Sequence, residues 1–441
     1  MFIFIKPLLL LLSLVTFSFI LPETTYAQLP LHPGEAAVLR VIAKKLGAQL
    51  LNSTDPCQLG MLPLAIQHSG DGQTNTIFCN RTIGSFSHIT NIKLKVLSLQ
   101  GSLPRELVSL MYLQEIDLAR NYLSGTLPKE WASMQHLTNI SLTAKNLSGE
   151  IPTDWGYFTN LTFLNIEANQ LSGPVPEEFG NLVNLTNLEL SSNYFSGRLP
   201  IKLAKLKNMK KFRISDNSFT GTVPEFIGGW TNLEMLEMYS SGLEGPIPAT
   251  IFSLGSLDDL RITDMNGPKF PFPNLTSNLF KKLILRNLNM SGSVHTNNFE
   301  VTTTLDLTFN KLEGEINGIR TTPNFMFLSG NMLSGSISET FLDTSKYLDL
   351  SFNKFTPLSS CPENSNLNMF RSFYSKNNIS GNLSCPRISR CQKYYRSLHI
   401  NCGGSNVIIN NTMYEGDGAE YGATLNFDHG GSNNLLTHEG N

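Results

Sequence analysis

The stretch Leu113-Gln-Glu-Ile-Asp-Leu-Ala-Arg-Asn-Tyr-Leu-Ser-Gly-Thr-Leu-Pro128 decides the fold, because its pattern returns every 24 residues. Within it, Ile116 and Leu118 alternate as in a short strand, and Gly125 and Pro128 are typical of a turn. A fixed period of this length predicts a solenoid whose copies bury their apolar faces only against their neighbours. The pattern opens at seven evenly spaced positions: Leu113, Leu137, Leu161, Leu185, Met209, Leu233 and Leu257.

Less regular copies extend this array in both directions, and an Asn follows the strand in most of them. We place further repeat starts at Ile89, Phe280, Thr302, Pro323, Ser345 and Met369, which gives 13 repeats. The Asn positions are 121, 169, 193, 217, 310, 331, 353 and 377. There an amide is able to bond both its own turn and the next coil. In other repeats the Asn is replaced, by Leu97, Lys145, Ser241, Met265 and Leu288. We therefore expect looser packing of the repeats from 265 to 288, and ordinary sequence drift is the alternative.

Composition and the N-terminus indicate a secreted chain. Lys and Arg number 33 against 35 Asp and Glu, a net charge of −2 without a dense basic run, so no nucleic-acid partner is expected. The N-terminus predicts a signal peptide, because Lys6 precedes the apolar stretch 8–21 and the small residue Ala27 offers a cleavage site. An uncleaved membrane anchor is the alternative. No other stretch is long and apolar enough to span a bilayer, so we expect no membrane span and an extracellular location.

Six cysteines lie outside the interior of the array, where the open ends of a solenoid core need covering. We predict a disulfide between Cys57 and Cys79 in the N-terminal cap. Residues 35–46 have apolar side chains at helical spacing before Gly47, which predicts a capping helix. Three pairings remain open for the other cysteines, Cys361, Cys385, Cys391 and Cys402.

Glycosylation acceptors of the Asn-x-Ser/Thr type are abundant, as expected for a secreted glycoprotein. Asn139 falls two residues into its repeat, on the solvent face of the strand, so a glycan there would obstruct this face and direct a ligand further along the array. The acceptors are Asn52, Asn80, Asn139, Asn146, Asn160, Asn184, Asn274, Asn289, Asn378, Asn382 and Asn410.

Several motifs together resemble plant leucine-rich-repeat receptor-like serine/threonine kinases whose ectodomain carries a malectin-like domain. They are Ile42-Ala-Lys-Lys-Leu46 before Asp55-Pro-Cys57, Leu147-Ser-Gly-Glu-Ile-Pro152, Leu171-Ser-Gly-Pro-Val-Pro176, Ser397-Leu-His-Ile-Asn-Cys-Gly-Gly404 and Tyr414-Glu-Gly-Asp417. The resemblance implies a leucine-rich-repeat superhelix, an α/β repeat solenoid of about 13 plant-type repeats with disulfide-stapled caps. For a malectin-like domain it also implies carbohydrate binding, with Tyr414 and Tyr421 as sugar-stacking candidates.

The final segment departs from that family, because a β-sandwich runs to about 100 residues and only the start of one is present. We therefore expect a truncated ectodomain without transmembrane helix or kinase. The predicted domains are a signal peptide (1–27), an N-terminal capping region (28–88), the solenoid (89–392) and an incomplete β-rich malectin-like start (393–441).

The solvent face of the strands is the predicted ligand surface. In each repeat, one residue lies between the two inward residues of the strand and points to solvent. In the middle of the array these residues carry charges of alternating sign. An Arg pair there would clasp a ligand carboxylate beside an apolar anchor, and ordinary cross-strand pairing is the alternative. The predicted ligand-binding residues are Glu189, Arg213, Met235, Glu237, Tyr239 and Arg261.

A second candidate is an aromatic docking patch near the end of the array, comprising Phe325, Phe327, Tyr347 and Phe373, with Phe352 and Phe370 close by. The sequence leaves open whether it contacts a partner or seats the malectin-like segment.

No catalytic or metal motif occurs: the kinase signatures, GxSxG, HExxH and CxxC are all missing, so we expect no catalysis, no metal and no cofactor. We expect an extracellular recognition module with a protein or peptide ligand, a co-receptor and carbohydrate being left open as further partners. A stand-alone secreted inhibitor or decoy, similar to polygalacturonase-inhibiting proteins, is the alternative.

Overall fold

The computed structural model describes residues 29–47, 55–59, 75–143, 146–273, 275, 280–294, 299, 302–316, 319, 322–338, 341–342, 347–356, 367–369, 400–401, 407–409 and 412–416. The chain divides into two compact units, Met1–Ser384 and Cys385–Asn441. The predicted signal peptide and the four C-terminal cysteines lie outside the described residues.

Fourteen strands form one continuous sheet, here called the concave sheet, and its strands recur at the predicted repeat spacing. They are β1 (Thr76–Phe78), β4 (Asn91–Lys93), β6 (Glu115–Asp117), β8 (Asn139–Ser141), β10 (Phe163–Asn165), β12 (Asn187–Glu189), β14 (Lys211–Arg213), β16 (Met235–Glu237), β17 (Asp259–Thr263), β19 (Lys282–Arg286), β21 (Thr304–Asp306), β23 (Phe325–Phe327), β25 (Tyr347–Asp349) and β27 (Leu367–Asn368). Only β1 runs antiparallel to its neighbour, so the repeats proper stack in parallel.

Two further sheets follow the turn that comes after each concave strand, and the sequence reasoning did not foresee them. One contains β5 (Gln100–Ser102), β7 (Tyr122–Gly125), β9 (Asn146–Gly149), β11 (Gln170–Gly173), β13 (Tyr194–Gly197) and β15 (Ser218–Phe219). The other contains β18 (Phe270–Pro271), β20 (Met290–Gly292), β22 (Lys311–Gly314), β24 (Met332–Gly335) and β26 (Lys354–Phe355). Their glycines, such as Gly125 at φ 87°, end the strands in a left-handed conformation that favours glycine.

Short 3₁₀ helices, each preceded by a proline, form the opposite wall of the repeats. They are η1 (Arg105–Ser109), η2 (Lys129–Ser133), η3 (Thr153–Tyr157), η4 (Glu177–Asn181), η5 (Ile201–Lys205), η6 (Glu225–Gly229) and η7 (Ala249–Ser253). Trp131 and Trp155 belong to this wall, are fully buried and stack at 6.2 Å. Each donates its indole N–H to a backbone carbonyl of the preceding repeat, at Pro104 and Pro128, so a buried polar group stays satisfied.

The N-terminal cap covers the open end of the core, as expected. The predicted capping helix is confirmed as α1 (Pro33–Lys45), and it is accompanied by α2 (Pro56–Leu59) and by the hairpin of β2 (Arg81–Ile83) and β3 (Phe86–His88). The predicted Cys57–Cys79 disulfide is confirmed. Buried Glu35 joins the cap to the first repeat, because its carboxylate accepts a hydrogen bond from the Ile89 N–H at 2.8 Å and lies 2.7 Å from His88 Nδ1.

The described residues of the second unit form three short strands: β28 (Ile400–Asn401), β29 (Val407–Ile409) and β30 (Thr412–Gly416). Strand β30 pairs in parallel with β28 and antiparallel with β29. Strands β28 and β30 overlap the motifs that suggested a malectin-like start, and that assignment stays a prediction.

An asparagine ladder fixes the distance between neighbouring repeats. Asn193 is typical: its Nδ2 donates to the Leu190 carbonyl of its own turn and to the Ile166 carbonyl of the preceding repeat, at 3.1 and 3.0 Å. Its Oδ1 accepts the N–H of Leu171, also in the preceding repeat, at 3.1 Å. One buried amide therefore satisfies backbone groups of two coils at once. The same arrangement recurs at Asn121, Asn169, Asn217, Asn310, Asn331 and Asn353.

Two sequence expectations were wrong. The start of the last repeat at Met369 is misplaced, because Leu348 pairs with Leu367, 19 residues later, and Met369 follows as the next inward residue. The expected loosening from 265 to 288 is wrong for the concave sheet, where β17 and β19 pair over five residues instead of three. The interruption lies on the other side of the repeats, where the first outer sheet ends at Phe219 and the second begins at Phe270.

We predict that Asn193→Ala lowers the free energy of unfolding by about 3 kcal/mol, because it leaves several buried backbone groups unpaired. Urea unfolding followed by circular dichroism measures the change. Asn208→Ala is the matched control: its exposed Nδ2 donates only to the Val183 carbonyl, so a loss below about 1 kcal/mol is expected. Equal losses in the two variants would contradict the structural role of the ladder.

Candidate functional site

One side-chain column of the concave sheet contains the central residue of each predicted ligand-binding strand. Cα register places Glu189, Arg213, Glu237 and Arg261 on four adjacent strands, in the predicted order. The column continues through Ile284, Asp306, Phe327 and Asp349, and it reaches Asn368 in the part of the chain that the structure describes. The six predicted ligand-binding residues therefore share one face.

Arg213 is the centre of an ion-pair network. Its Nη1 donates to Glu167 Oε2 at 3.0 Å, and its Nε donates to Glu237 Oε2 at 3.1 Å. A third carboxylate, that of Glu189, lies 3.8 Å from Nη1. Sequence reasoning missed Glu167, although it lies two residues after the strand residue Asn165 and therefore on the same face.

Arg261 is held by a neighbour on its own strand. Its Nε and Nη2 donate to the two oxygens of Asp259 at 2.7 and 2.8 Å, and its Nη1 lies 3.9 Å from Glu237. We call Glu167, Glu189, Arg213, Glu237, Asp259 and Arg261 the mid-array cluster. Its four carboxylates and two guanidinium groups carry a formal charge of −2.

The geometry of the mid-array cluster favours ion pairing within the sheet over an arginine clasp for a ligand carboxylate. Both arginines already bind carboxylates of this chain, and Glu237 beneath them is only 3% exposed. A ligand carboxylate would have to displace these pairs and would meet a net negative charge. The arginines are thus engaged in ion pairs within this chain, both between and within repeats, and no arginine clasp is preformed.

Met235 and Tyr239 lie half-buried on either side of Glu237 on the same repeat. The Tyr239 backbone N–H donates to Ser215 Oγ at 3.1 Å. Burial raises the pKa of the Tyr239 hydroxyl, and the nearby Glu237 carboxylate adds to the rise. Tyr239 therefore stays neutral over the physiological range and offers a ring and a hydroxyl beside the cluster.

Burial disfavours the charged form of Glu167. Burial raises its pKa above the ordinary 4.5, Arg213 opposes the rise, and repulsion from Glu189 and Glu237 adds to it. Its Oε1 is buried without a hydrogen-bond donor of good geometry in the described part of the chain. Ionised Glu167 thus costs folding free energy that a neutral group would not.

The aromatic docking patch is largely where it was expected. The rings of Phe325 and Tyr347 stack face to face on β23 and β25, with centroids 5.2 Å apart and planes at 6°. Phe327 lies half-buried in the next column, and exposed Phe309 packs over Gly330, where a Cβ would come within 2.6 Å of its ring. Phe373 and Phe370 lie outside the described residues.

The glycosylation acceptors fall on different surfaces. Asn80, Asn146, Asn160 and Asn184 are exposed, whereas Asn139 on β8 and Asn289 are half-buried. Asn52, Asn274, Asn378, Asn382 and Asn410 lie outside the described residues.

Asn160 and Asn184 line a 780 Å³ groove along the edge of the concave sheet. Their amides donate to the Gln135 and Thr159 carbonyls of the preceding repeat. Glycans at these two asparagines would fill that groove, so it is a poor candidate for a ligand site.

Among the described residues, no helix is long and apolar enough to cross a membrane. The same residues contain no group of His, Cys, Asp and Glu arranged to hold a metal ion.

Comparison with known sequences identifies the repeats. Residues 112–134, 160–182 and 184–206 match the Leucine Rich Repeat family. A probable LRR receptor-like serine/threonine-protein kinase of Arabidopsis thaliana is 43% identical over 166 residues, which cover 37% of this chain and 16% of that relative. Another, RFK1 of the same plant, is 41% identical over 136 residues, which cover 28% of this chain and 13% of the relative. The chain thus spans less than a fifth of the length of these curated relatives.

Solved structures share the fold. The Arabidopsis receptor kinase HAESA, in complex with the peptide hormone IDA and the co-receptor SERK1, gives a TM-score of 0.60 at 24% identity, covering 77% of this chain and 62% of that one. The PEPR1–AtPEP1 complex gives 0.55 at 20% identity, covering 76% and 51%. The predicted leucine-rich-repeat solenoid is confirmed, and its homologues are plant LRR receptor-like kinases.

The raised pKa of Glu167 predicts a pH dependence. The folded protein holds this proton more tightly than the unfolded chain, so the Glu167 contribution to stability falls as pH rises from the ordinary pKa of 4.5 through the raised one. Glu167→Gln cannot ionise, so its free energy of unfolding relative to wild type should increase from about pH 4 to about pH 7.

Urea unfolding at several pH values measures this difference. The control is Glu178→Gln, which removes the same charge from an exposed outer-face position. A difference between Glu167→Gln and wild type that stays constant with pH, or falls, would contradict the assignment.

Proposed function

We propose that this chain, whose homologues are plant leucine-rich-repeat receptor-like kinases, is the extracellular recognition module of such a receptor and binds a peptide on its concave sheet. The module performs no catalysis itself; phosphorylation is the task of the kinase part of the full-length homologues. In this proposal the ligand lies outside the cell, and a co-receptor joins the liganded complex.

The observation that carries the proposal is the in-register concave sheet with partly exposed aromatic side chains at one end. Half-buried Phe325, Phe327 and Tyr347 lie on strands that otherwise present polar side chains. Aromatic side chains held on rigid strands are typical of protein and peptide contacts, since they bury a large area at a small entropic cost.

The predicted ligand-binding residues define the other end of the proposed surface. From Glu189 on β12 to Tyr347 on β25 the ligand crosses eight adjacent strands. At about 4.8 Å per strand this path is about 34 Å long, which an extended peptide of about ten residues spans. Met235 and Tyr239 provide contacts along the path, and Arg213 and Arg261 hold its floor in place through their ion pairs.

Surface blocking by an added glycan tests this proposal. Arg261→Asn creates the acceptor Asn-Ile-Thr with Ile262 and Thr263, whereas Arg261→Gln changes the same side chain without an acceptor. The probe is a displayed library of random ten-residue peptides, selected against the secreted wild-type chain. Enriched peptides should bind the Gln variant at least about tenfold more tightly than the glycosylated Asn variant, because the glycan covers the path.

The design separates the glycan from the substitution, because both variants lose the same ion pairs. Mass spectrometry confirms glycan occupancy at position 261. Equal binding of enriched peptides to both variants would exclude the concave sheet as their site, and failure to enrich any peptide would count against a peptide ligand.

A further inference from the structure

We propose that strands β21, β23 and β25 bind a cationic part of the ligand, namely two lysine or arginine side chains of an extended peptide. The site consists of Asp306, Phe325, Phe327, Tyr347 and Asp349, here called the acid–aromatic patch. The proposal rests on the proposed function, because it takes the concave sheet to be the ligand surface, and it adds the charge and spacing of the ligand.

The two carboxylates of this patch differ from all those of the mid-array cluster. Asp306 Oδ1 accepts hydrogen bonds from the Thr308 N–H and hydroxyl at 3.0 and 2.7 Å. Asp349 Oδ1 accepts one from the Ser351 N–H at 3.0 Å. These bonds orient both carboxylates, but neither carboxylate forms a salt bridge within the described ranges of the chain.

Within the described residues, no cation of the chain forms an ion pair that compensates this local charge. Strands β21, β23 and β25 contain no lysine or arginine, whereas β14, β17 and β19 each contain at least one. Glu167, Glu237 and Asp259 need no ligand cation because arginines of this chain pair with them. Asp306 and Asp349 leave a formal charge of −2 on a half-buried surface, where a ligand cation is attracted more strongly than in open water.

The aromatic rings occupy positions that add to this attraction. Phe327 lies directly between Asp306 and Asp349 in the sheet register. In the next column, the stacked rings of Phe325 and Tyr347 lie on the same two strands. The face of an aromatic ring attracts ammonium and guanidinium groups, and it also accepts their aliphatic stems. Carboxylates and rings together thus favour lysine or arginine over a simple apolar residue.

The register sets the spacing that the ligand needs. Asp306 and Asp349 are two strands apart, or about 10 Å at 4.8 Å per strand. A peptide in the extended polyproline II conformation has three residues per turn and rises about 3.1 Å per residue, so cations three positions apart lie on one side of it and about 9 Å from each other. The peptide backbone between them would lie over Phe327.

Two fluorescein-labelled, end-capped peptides test this proposal directly. One is Gly-Lys-Phe-Gly-Lys-Gly, and the other carries Glu in place of both lysines. Fluorescence anisotropy with the full secreted chain should show at least about tenfold tighter binding of the lysine peptide, and this preference should shrink as salt is raised.

Substitutions locate the binding. The double variant Asp306→Ser and Asp349→Ser should weaken the lysine peptide about tenfold. Serine is used because asparagine at either position would create an acceptor, followed by Leu-Thr or Leu-Ser. The matched control, Asp154→Ser with Glu178→Ser, removes two exposed acidic groups from the outer face and should leave binding unchanged.

A ring substitution provides a second readout that keeps all charges. Phe327→Leu retains an apolar side chain without an aromatic face, so the lysine peptide should bind several-fold more weakly. Circular dichroism checks that each variant is folded. Equal binding of both peptides, binding of neither, or a double serine variant that binds like wild type would contradict the proposal.

The outcomes also distinguish this proposal from the proposed function. If library peptides are blocked by the glycan at position 261 while the serine variant binds the lysine peptide like wild type, the concave surface stands and the cationic assignment is wrong. If no library peptide is enriched and the lysine peptide does not bind, both proposals fail.

Discussion

The hydrogen bonds of the asparagine ladder, present in most of the repeats, are the constraint on which the rest of the structure depends. Each amide bonds its own turn and the coil before it, as Asn193 does with Leu190 and Ile166. The spacing of the coils is thereby fixed, and the inward leucines meet in one continuous core. Because the coils are in register, outward side chains of successive strands form columns, and these columns are the surface on which a ligand is recognised.

Much of this could be read from the sequence, because a fixed period ties each residue to a position in the coil. The 24-residue period correctly predicted that Arg213 and Glu237 lie side by side on adjacent strands. The N-terminal cap was predicted from the helical spacing of its apolar residues and from the pairing of Cys57 with Cys79. The last repeat could not be placed, since it is shortened to 19 residues and Leu367 takes the position expected of a later residue. The outer sheets were missed because the Leu-Ser-Gly stretch is typical of a turn, and its pairing appears only when coils stack.

The charges on the concave sheet show why a site cannot be inferred from residue types alone. Arg213 and Arg261 had the composition expected of a carboxylate clasp, yet Glu167 and Asp259 bind them first. Glu167 escaped notice because it belongs to the turn and not to the strand. Asp306 and Asp349 have the opposite character: they lie in the same column of the sheet, but no arginine of the described residues pairs with them. The chemistry of a ligand is thus better inferred from the charged side chains that form no ion pair than from all charged side chains of the surface.

Hydrogen–deuterium exchange of the purified chain tests the central claim most directly, because it reports on the backbone hydrogen bonds between coils. The account predicts slow exchange for the amides of the concave strands from β6 to β25 and for Leu171 and Leu333, whose N–H groups donate to ladder asparagines. The 3₁₀ helices of the opposite wall should exchange faster. Fast exchange throughout the concave strands, with protection confined to the outer wall, would contradict the account.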